Sequence, residues 1–219
     1  MYKRFRSSVR AFTLVELSIS LAVVMVLTVI LLSRYPETAT RLTLANASHT
    51  TSLLIREAQV RGSAIDSANS SLGGYGVYVN LAAPSNLVLF GDTVDPAIPK
   101  PYGITIGDGI YETGNPINET KTTTTLPEGY LISKLCVGTS FPFTCNDLNT
   151  PPITALTVSF TRPNPAPSIY VNNATTTNYT AACIELHSPQ APLSGHIRNV
   201  QVFSSGMIRT DVGACDNGS

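Results

Sequence analysis

The feature that most constrains this 219-residue chain is a run of twenty-two residues, Phe12 to Ser33, in which Glu16 is the only charged side chain. As a helix such a run extends about 33 Å at 1.5 Å per residue, enough to cross the roughly 30 Å hydrocarbon core of a bilayer. Nothing later in the chain is comparable. The remainder is poor in charge, rich in Thr, Asn, Ser, Gly and Pro, and has no Trp, a composition that suits short strands joined by turns. The expected fold class is therefore α+β. A leader over residues 1–11 precedes a long N-terminal helix over 12–62, whose first part, 12–33, spans the membrane. The helix packs on an antiparallel β-rich head over residues 63–219.

Charge is segregated although the whole chain is neutral. Residues 1–11 carry Lys3, Arg4, Arg6 and Arg10 and no acid, whereas the head has six basic against eleven acidic residues, about −5. Basic residues ahead of an apolar span place the N-terminus in the cytoplasm and the head outside. An acidic head also argues against nucleic acid as the main partner, because phosphate binding needs a basic surface. All four cysteines lie in the head, and an even count in an exported domain reads as two disulfides. Of three possible pairings, Cys136–Cys145 with Cys183–Cys215 is favoured. The first closes a small loop containing Pro142, and the second pins the C-terminal tail to the strand around Ile184. Zinc and free thiols are the alternatives, and the cysteine spacings match no common zinc pattern.

The apolar run is too long for an ordinary secretory signal, and Ser33-Arg34-Tyr35-Pro36 is not a small-residue exit. A plain membrane anchor does not account for Glu16, since a carboxylate inside the bilayer costs about 2.5–3.5 kcal/mol on insertion scales. Part of that cost has a local explanation. Thr13-x-x-Glu16 has capping-box spacing, and a negative side chain suits a helix N-terminus.

Ala11-Phe12-Thr13-Leu14-Val15-Glu16-Leu17 behind a basic leader resembles the cleavage and N-methylation motif of type IV pilins and pseudopilins. The resemblance implies that a membrane prepilin peptidase/methylase cuts between Ala11 and Phe12 and methylates Phe12. The residue before the cut is usually Gly in that family and is Ala11 here, also small. It further implies that Glu16, four residues along the same helical face from the new Phe12 ammonium, pairs with that group on a neighbouring subunit during assembly. Leu54-Ile55-Arg56-Glu57-Ala58-Gln59, the Tyr75–Val79 strand and Val200–Ile208 resemble the H-type minor pseudopilins of type II secretion and related minor pilins.

Pro36 removes a helix hydrogen bond and disfavours helix at Tyr35, so a kink or local melting is expected there. Ala39, Leu42, Ala45, His49, Leu53 and Arg56 then resume a helical spacing, and Gly62 marks a stop. Strands are expected at Gly76–Asn80, Asn86–Phe90, Tyr102–Ile106, Ile110–Thr113, Tyr130–Val137, Ile153–Phe160, Ile169–Val171, Ala181–His187, Ile197–Phe203 and Met207–Thr210. Leu81–Ser85 and Ser204–Gly206 turn hairpins, and Thr122–Thr125 reads as an exposed low-complexity loop.

No phosphate loop, metalloprotease motif or nucleophile elbow occurs. His49 reads as a polar residue at the packing edge of the helix, and His187 and His196 as hydrogen-bonded loop histidines. Asp92 with Asp95, and Asp211 with Asp216 and Asn217, follow no calcium spacing and suit turns. No enzyme activity, cofactor or metal is therefore expected. The resemblance implies a structural subunit of a type IV pilus or type II secretion pseudopilus. Its partners would be other pilin or pseudopilin subunits, an inner-membrane assembly platform and membrane lipid. It would sit as a single-pass inner-membrane protein before joining a periplasmic or cell-surface filament. A filament-tip binding module, for adhesion or DNA uptake, and a signal-anchored exported enzyme are the other classes.

Overall fold

The computed structural model describes residues 13–64, 72–93, 107–113, 118–139, 143–146, 152–161, 166–174, 179–191 and 195–215. Ala11, Phe12, the Tyr102–Ile106 strand, Pro142, Asp95, Asp216 and Asn217 lie outside these residues. The fold is α+β, with one helix, α1 (Leu14–Ser63), and two antiparallel sheets of five strands each. The chain forms two compact units that meet between Ala39 and Thr40. The second half of α1 thus belongs to the same unit as the strands.

The helix begins where Thr13 caps it. Thr13 Oγ1 accepts the Glu16 N–H at 3.2 Å, and Thr13 O takes the Leu17 N–H at 3.1 Å, satisfying two of the donors a helix start leaves open. Helix runs on through Pro36, so the local melting expected there does not occur. It also passes Gly62 and ends at Ser63. Gly62 serves a different purpose from a stop: a Cβ there would lie 2.4 Å from the carbonyl oxygen of Phe160. The missing side chain lets the helix end approach the sheet.

In the first sheet the order is β3 (Thr120–Thr125), β2 (Asn86–Thr93), β1 (Leu72–Asn80), β6 (Ala155–Thr161) and β7 (Pro167–Val171). The second runs β10 (Ile208–Val212), β9 (Ile197–Phe203), β8 (Ala181–His187), β4 (Leu131–Gly138) and β5 (Thr144–Cys145). One continuous core joins the buried face of α1, with Leu44, Ala47, Leu54, Ile55 and Ala58, to the inner faces of both sheets. Val77, Val158 and Phe160 represent the first sheet, and Leu135, Ile184 and Val200 the second. Ser48, Thr51 and Ser52 are also buried on the helix. Their hydroxyls donate to Ala45 O, Ala47 O and His49 O at 2.8–3.0 Å, so none of these three donors is left open.

Two segments depart from the sequence expectation. Thr122–Thr125 is not a loop but part of β3, an edge strand paired with β2; its β-branched threonines favour extended backbone, and Lys121 suits an exposed edge. Ile110–Thr113 is not a strand: among the described residues its only ladder contact is a single bridge from Thr113 to Asn118. Side-chain carboxylates take its donors instead, Asp108 from Ile110 N and Glu119 from Glu112 N at 2.9 and 3.0 Å. Tyr111 meanwhile packs on Tyr78 and Phe90.

The β9–β10 hairpin turns at Ser204–Gly206, where Gly206 adopts φ +82°, a conformation glycine reaches without strain. The open edge of β10 is partly plugged. Arg56 Nη2 donates to Ile208 O at 3.5 Å, Gln59 Nε2 to Gly206 O at 3.1 Å, and Val212 N–H is taken by the adjacent Asp211 carboxylate at 2.9 Å.

Candidate functional site

In the N-terminal unit the described helix, from Leu14 onward, is apolar and its side chains are exposed through Ser33. Its best 18-residue stretch has a mean hydropathy of 2.6, so α1 is long and apolar enough to cross a membrane. Four hydroxyls interrupt the apolar surface, and each bonds back into the helix. Ser18 donates to Val15 O, Ser20 to Glu16 O, Thr28 to Val24 O and Ser33 to Ile30 O, all at 2.7–2.8 Å. Among the described side chains of residues 14–33, only the Glu16 carboxylate has polar atoms with no bond. Thr13 bonds the Glu16 backbone, not its carboxylate. The cap therefore satisfies the chain but leaves the charge unmatched.

In the second unit, Cys136 is bonded to Cys145 and Cys183 to Cys215, the two pairs favoured from the sequence. The ladder explains the first pair, while Cys215 lies beyond β10 and reaches Cys183 through the tail contacts described below. Cys136 stands opposite Cys145 across β4–β5 and opposite Cys183 across β4–β8. All four sulfurs thus fall in one small buried cluster with Phe143 and Ala181.

Next to this cluster the buried carboxylate of Glu185 holds the C-terminal tail. It accepts Cys215 N–H at 2.9 Å, lies 2.7 Å from His187 Nε2 and 3.2 Å from Ser133 Oγ. Burial pushes its pKa up, but the His187 and Cys215 hydrogen bonds and the positive charge of Lys134 outweigh this and hold it below the usual glutamate range. Asn199 Nδ2 ties the same tail through Gly213 O at 3.0 Å. Glu119 shows the opposite balance. Burial raises its pKa, and the N–H groups of Thr93 and Glu112 only partly offset this.

The histidines are dispersed. His196 Nδ1 is 2.9 Å from Ser188 Oγ, and both are buried, which leaves no access for a substrate. His49 is exposed on α1. Asp92 accepts Gly109 N–H at 3.0 Å, and Asp211 pairs with Arg209. Among the described residues no group of three His, Cys, Asp or Glu is placed to hold a metal.

One surface escaped the sequence reading. Leu42, His49, Leu53 and Arg56, whose spacing signalled the helix, lie on its exposed side, while the core face is offset from them. His49, Ser52, Leu53 and Arg56 line a groove of about 380 Å³ against Ile208 and Thr210 of β10. Apolar and basic residues sharing one helical stripe was the signal available. The chain matches no family model, no curated protein and no solved structure.

Proposed function

We propose that this chain is a structural, non-catalytic subunit of a type IV pilus or type II secretion pseudopilus, assembled through its N-terminal helix. In this reading the leader is cytoplasmic and is removed between Ala11 and Phe12, Phe12 is methylated, and the head is exported. The subunit enters a periplasmic or cell-surface filament from the inner membrane. The observation that carries the reading is Glu16. In a stretch, residues 14–33, whose described hydroxyls are all internally bonded, a lone carboxylate is costly in lipid. Pairing with the Phe12 ammonium of another subunit removes that cost at one register only, so the charge selects how helices align. The disulfide-bonded, antiparallel head supports export to an oxidising compartment.

The intact mass and N-terminal sequence of the mature protein from its native host test the processing step. Methylated Phe12 at the start is expected; a retained Met1, or a cut beyond Ser33, refutes it. Glu16→Leu tests the assembly step. The variant is expected in the membrane at wild-type level but missing from sheared filaments, and normal incorporation would sink the role given to Glu16.

A further inference from the structure

The geometry points to a head-to-head contact between copies of this chain, in which Glu128 of one copy enters the groove between α1 and β10 of the next and pairs with Arg56. It rests on the filament reading above and names a contact within it. Both patches belong to the unit that follows Thr40. The groove carries Arg56 and His49 and no acid, a basic spot on a head with more acidic than basic residues. Among the described residues no carboxylate pairs with Arg56, whose one bond goes to Ile208 O at 3.5 Å. A guanidinium has five N–H donors, so most of its capacity remains for a carboxylate.

Glu128 is the complementary charge. It is exposed at the tip of the turn between β3 and β4, and no described residue bonds or pairs with it. Among the described residues the other acids of the head are engaged: Asp92 with Gly109 N, Asp108 with Ile110 N, Asp211 with Arg209, and Glu185 and Glu119 with the groups named above. Glu112 has a partner of its own, and Glu57 on α1 pairs with Arg61. Leu131, 40% exposed, follows the turn; exposed Leu53 lines the groove, and exposed Met207 directly precedes its Ile208. The charge pair thus has apolar contact on both sides.

The two patches stand at different heights. Tyr130 Oη donates to Thr40 O at 3.1 Å, which fixes the turn near Thr40. Ser52 in the groove lies about 18 Å farther along the helix at 1.5 Å per residue. Copies with parallel helices displaced by about that distance bring the turn of the upper copy to the groove of the lower. Such a contact is heterologous: each copy uses a different patch, so the pairing propagates and does not close on a dimer.

The test uses the full chain in its native host. Arg56→Lys places an amine that a carbodiimide joins to a carboxylate only at contact distance, and the separation along α1 puts a link within one copy out of reach. With copies labelled by different nitrogen isotopes, mixed-isotope peptides joining position 56 to Glu128 are expected in sheared filaments. They should vanish in the added presence of Glu128→Gln. Arg56→Glu and Glu128→Arg should each lower the assembled share roughly tenfold, and the double reversal should restore most of it. Filaments that contain the Arg56→Lys subunit without the 56–128 link overturn the contact and leave the filament reading standing. A wild-type chain that never enters filaments removes both.

Discussion

Glu185→Gln changes one buried carboxylate to an amide of nearly the same volume, so its effect isolates charge and hydrogen bonding from packing. The wild-type carboxylate receives Cys215 N–H and sits against His187 Nε2. Hydrogen bonds to a charged group contribute about 1.5–3 kcal/mol each. Gln keeps one acceptor oxygen but turns an NH₂ toward the other donor, so about 2–3 kcal/mol of stability should be lost. For a chain of this size that is a fall of roughly 5–10 °C in Tm. The pH dependence has a definite sign. Because the folded pKa lies below the ordinary value of about 4.5, the ionised form stabilises the fold. That contribution is complete above the unfolded pKa and is lost as pH falls through the folded one. The gap between wild type and variant should therefore be full at pH 7 and pH 5 and narrow toward pH 3. Thermal unfolding of the full chain in detergent, followed by tyrosine near-UV dichroism since the chain has no Trp, reads this directly. Equal stability at pH 7, or a gap that widens at pH 3, would refute the role given to the carboxylate.

Gly62→Ala sets helix propensity against packing. Propensity favours Ala by about 0.8–1 kcal/mol, but the new Cβ would lie 2.4 Å from a backbone oxygen of Phe160. Urea unfolding should show a net loss on the order of 1–3 kcal/mol, as for other overpacked sites; a more stable variant contradicts the close approach. The disulfides differ in the loops they close, with sequence separations of 9 and 32. Chain-entropy arithmetic gives about 2.6 kcal/mol for Cys136–Cys145 and about 3.7 kcal/mol for Cys183–Cys215. Replacing each pair by Ala should therefore cost about 1 kcal/mol more for the second, and the reverse order in denaturant midpoints would count against it.

Local patterns carried much of the fold. Ala181–His187 and Ile197–Phe203 are legible to the residue because each is a short apolar-rich run whose bounds are set by turns. The apolar run and its single acid were legible for the same reason. Threonine repeats misled at Thr122–Thr125, where composition suggested a loop but pairing with β2 made an edge strand. Ile110–Thr113 has strand-like residues, yet its partners are the carboxylates of Asp108 and Glu119, two and seven residues away; a side-chain partner of that kind leaves no periodic trace. Gly62 shows the same limit, since its sequence position suggests an ending and only the neighbouring Phe160 backbone reveals a close approach. The Arg56 groove needs β10 beside α1, a juxtaposition made across some 150 residues.

The back-bonded hydroxyls of Ser18, Ser20, Thr28 and Ser33 have a consequence for how the first helix changes surroundings. A hydroxyl bonded to a neighbouring protein would have to give up that partner whenever the helix moved, and each exchange would add to the barrier. Here every such bond travels with the helix. Moving the segment from lipid to a packed protein environment, or back, rebuilds none of them. The hydroxyls are thus portable between the two media, and among the described side chains of residues 14–33 the one polar group the transfer leaves to be satisfied is the carboxylate of Glu16.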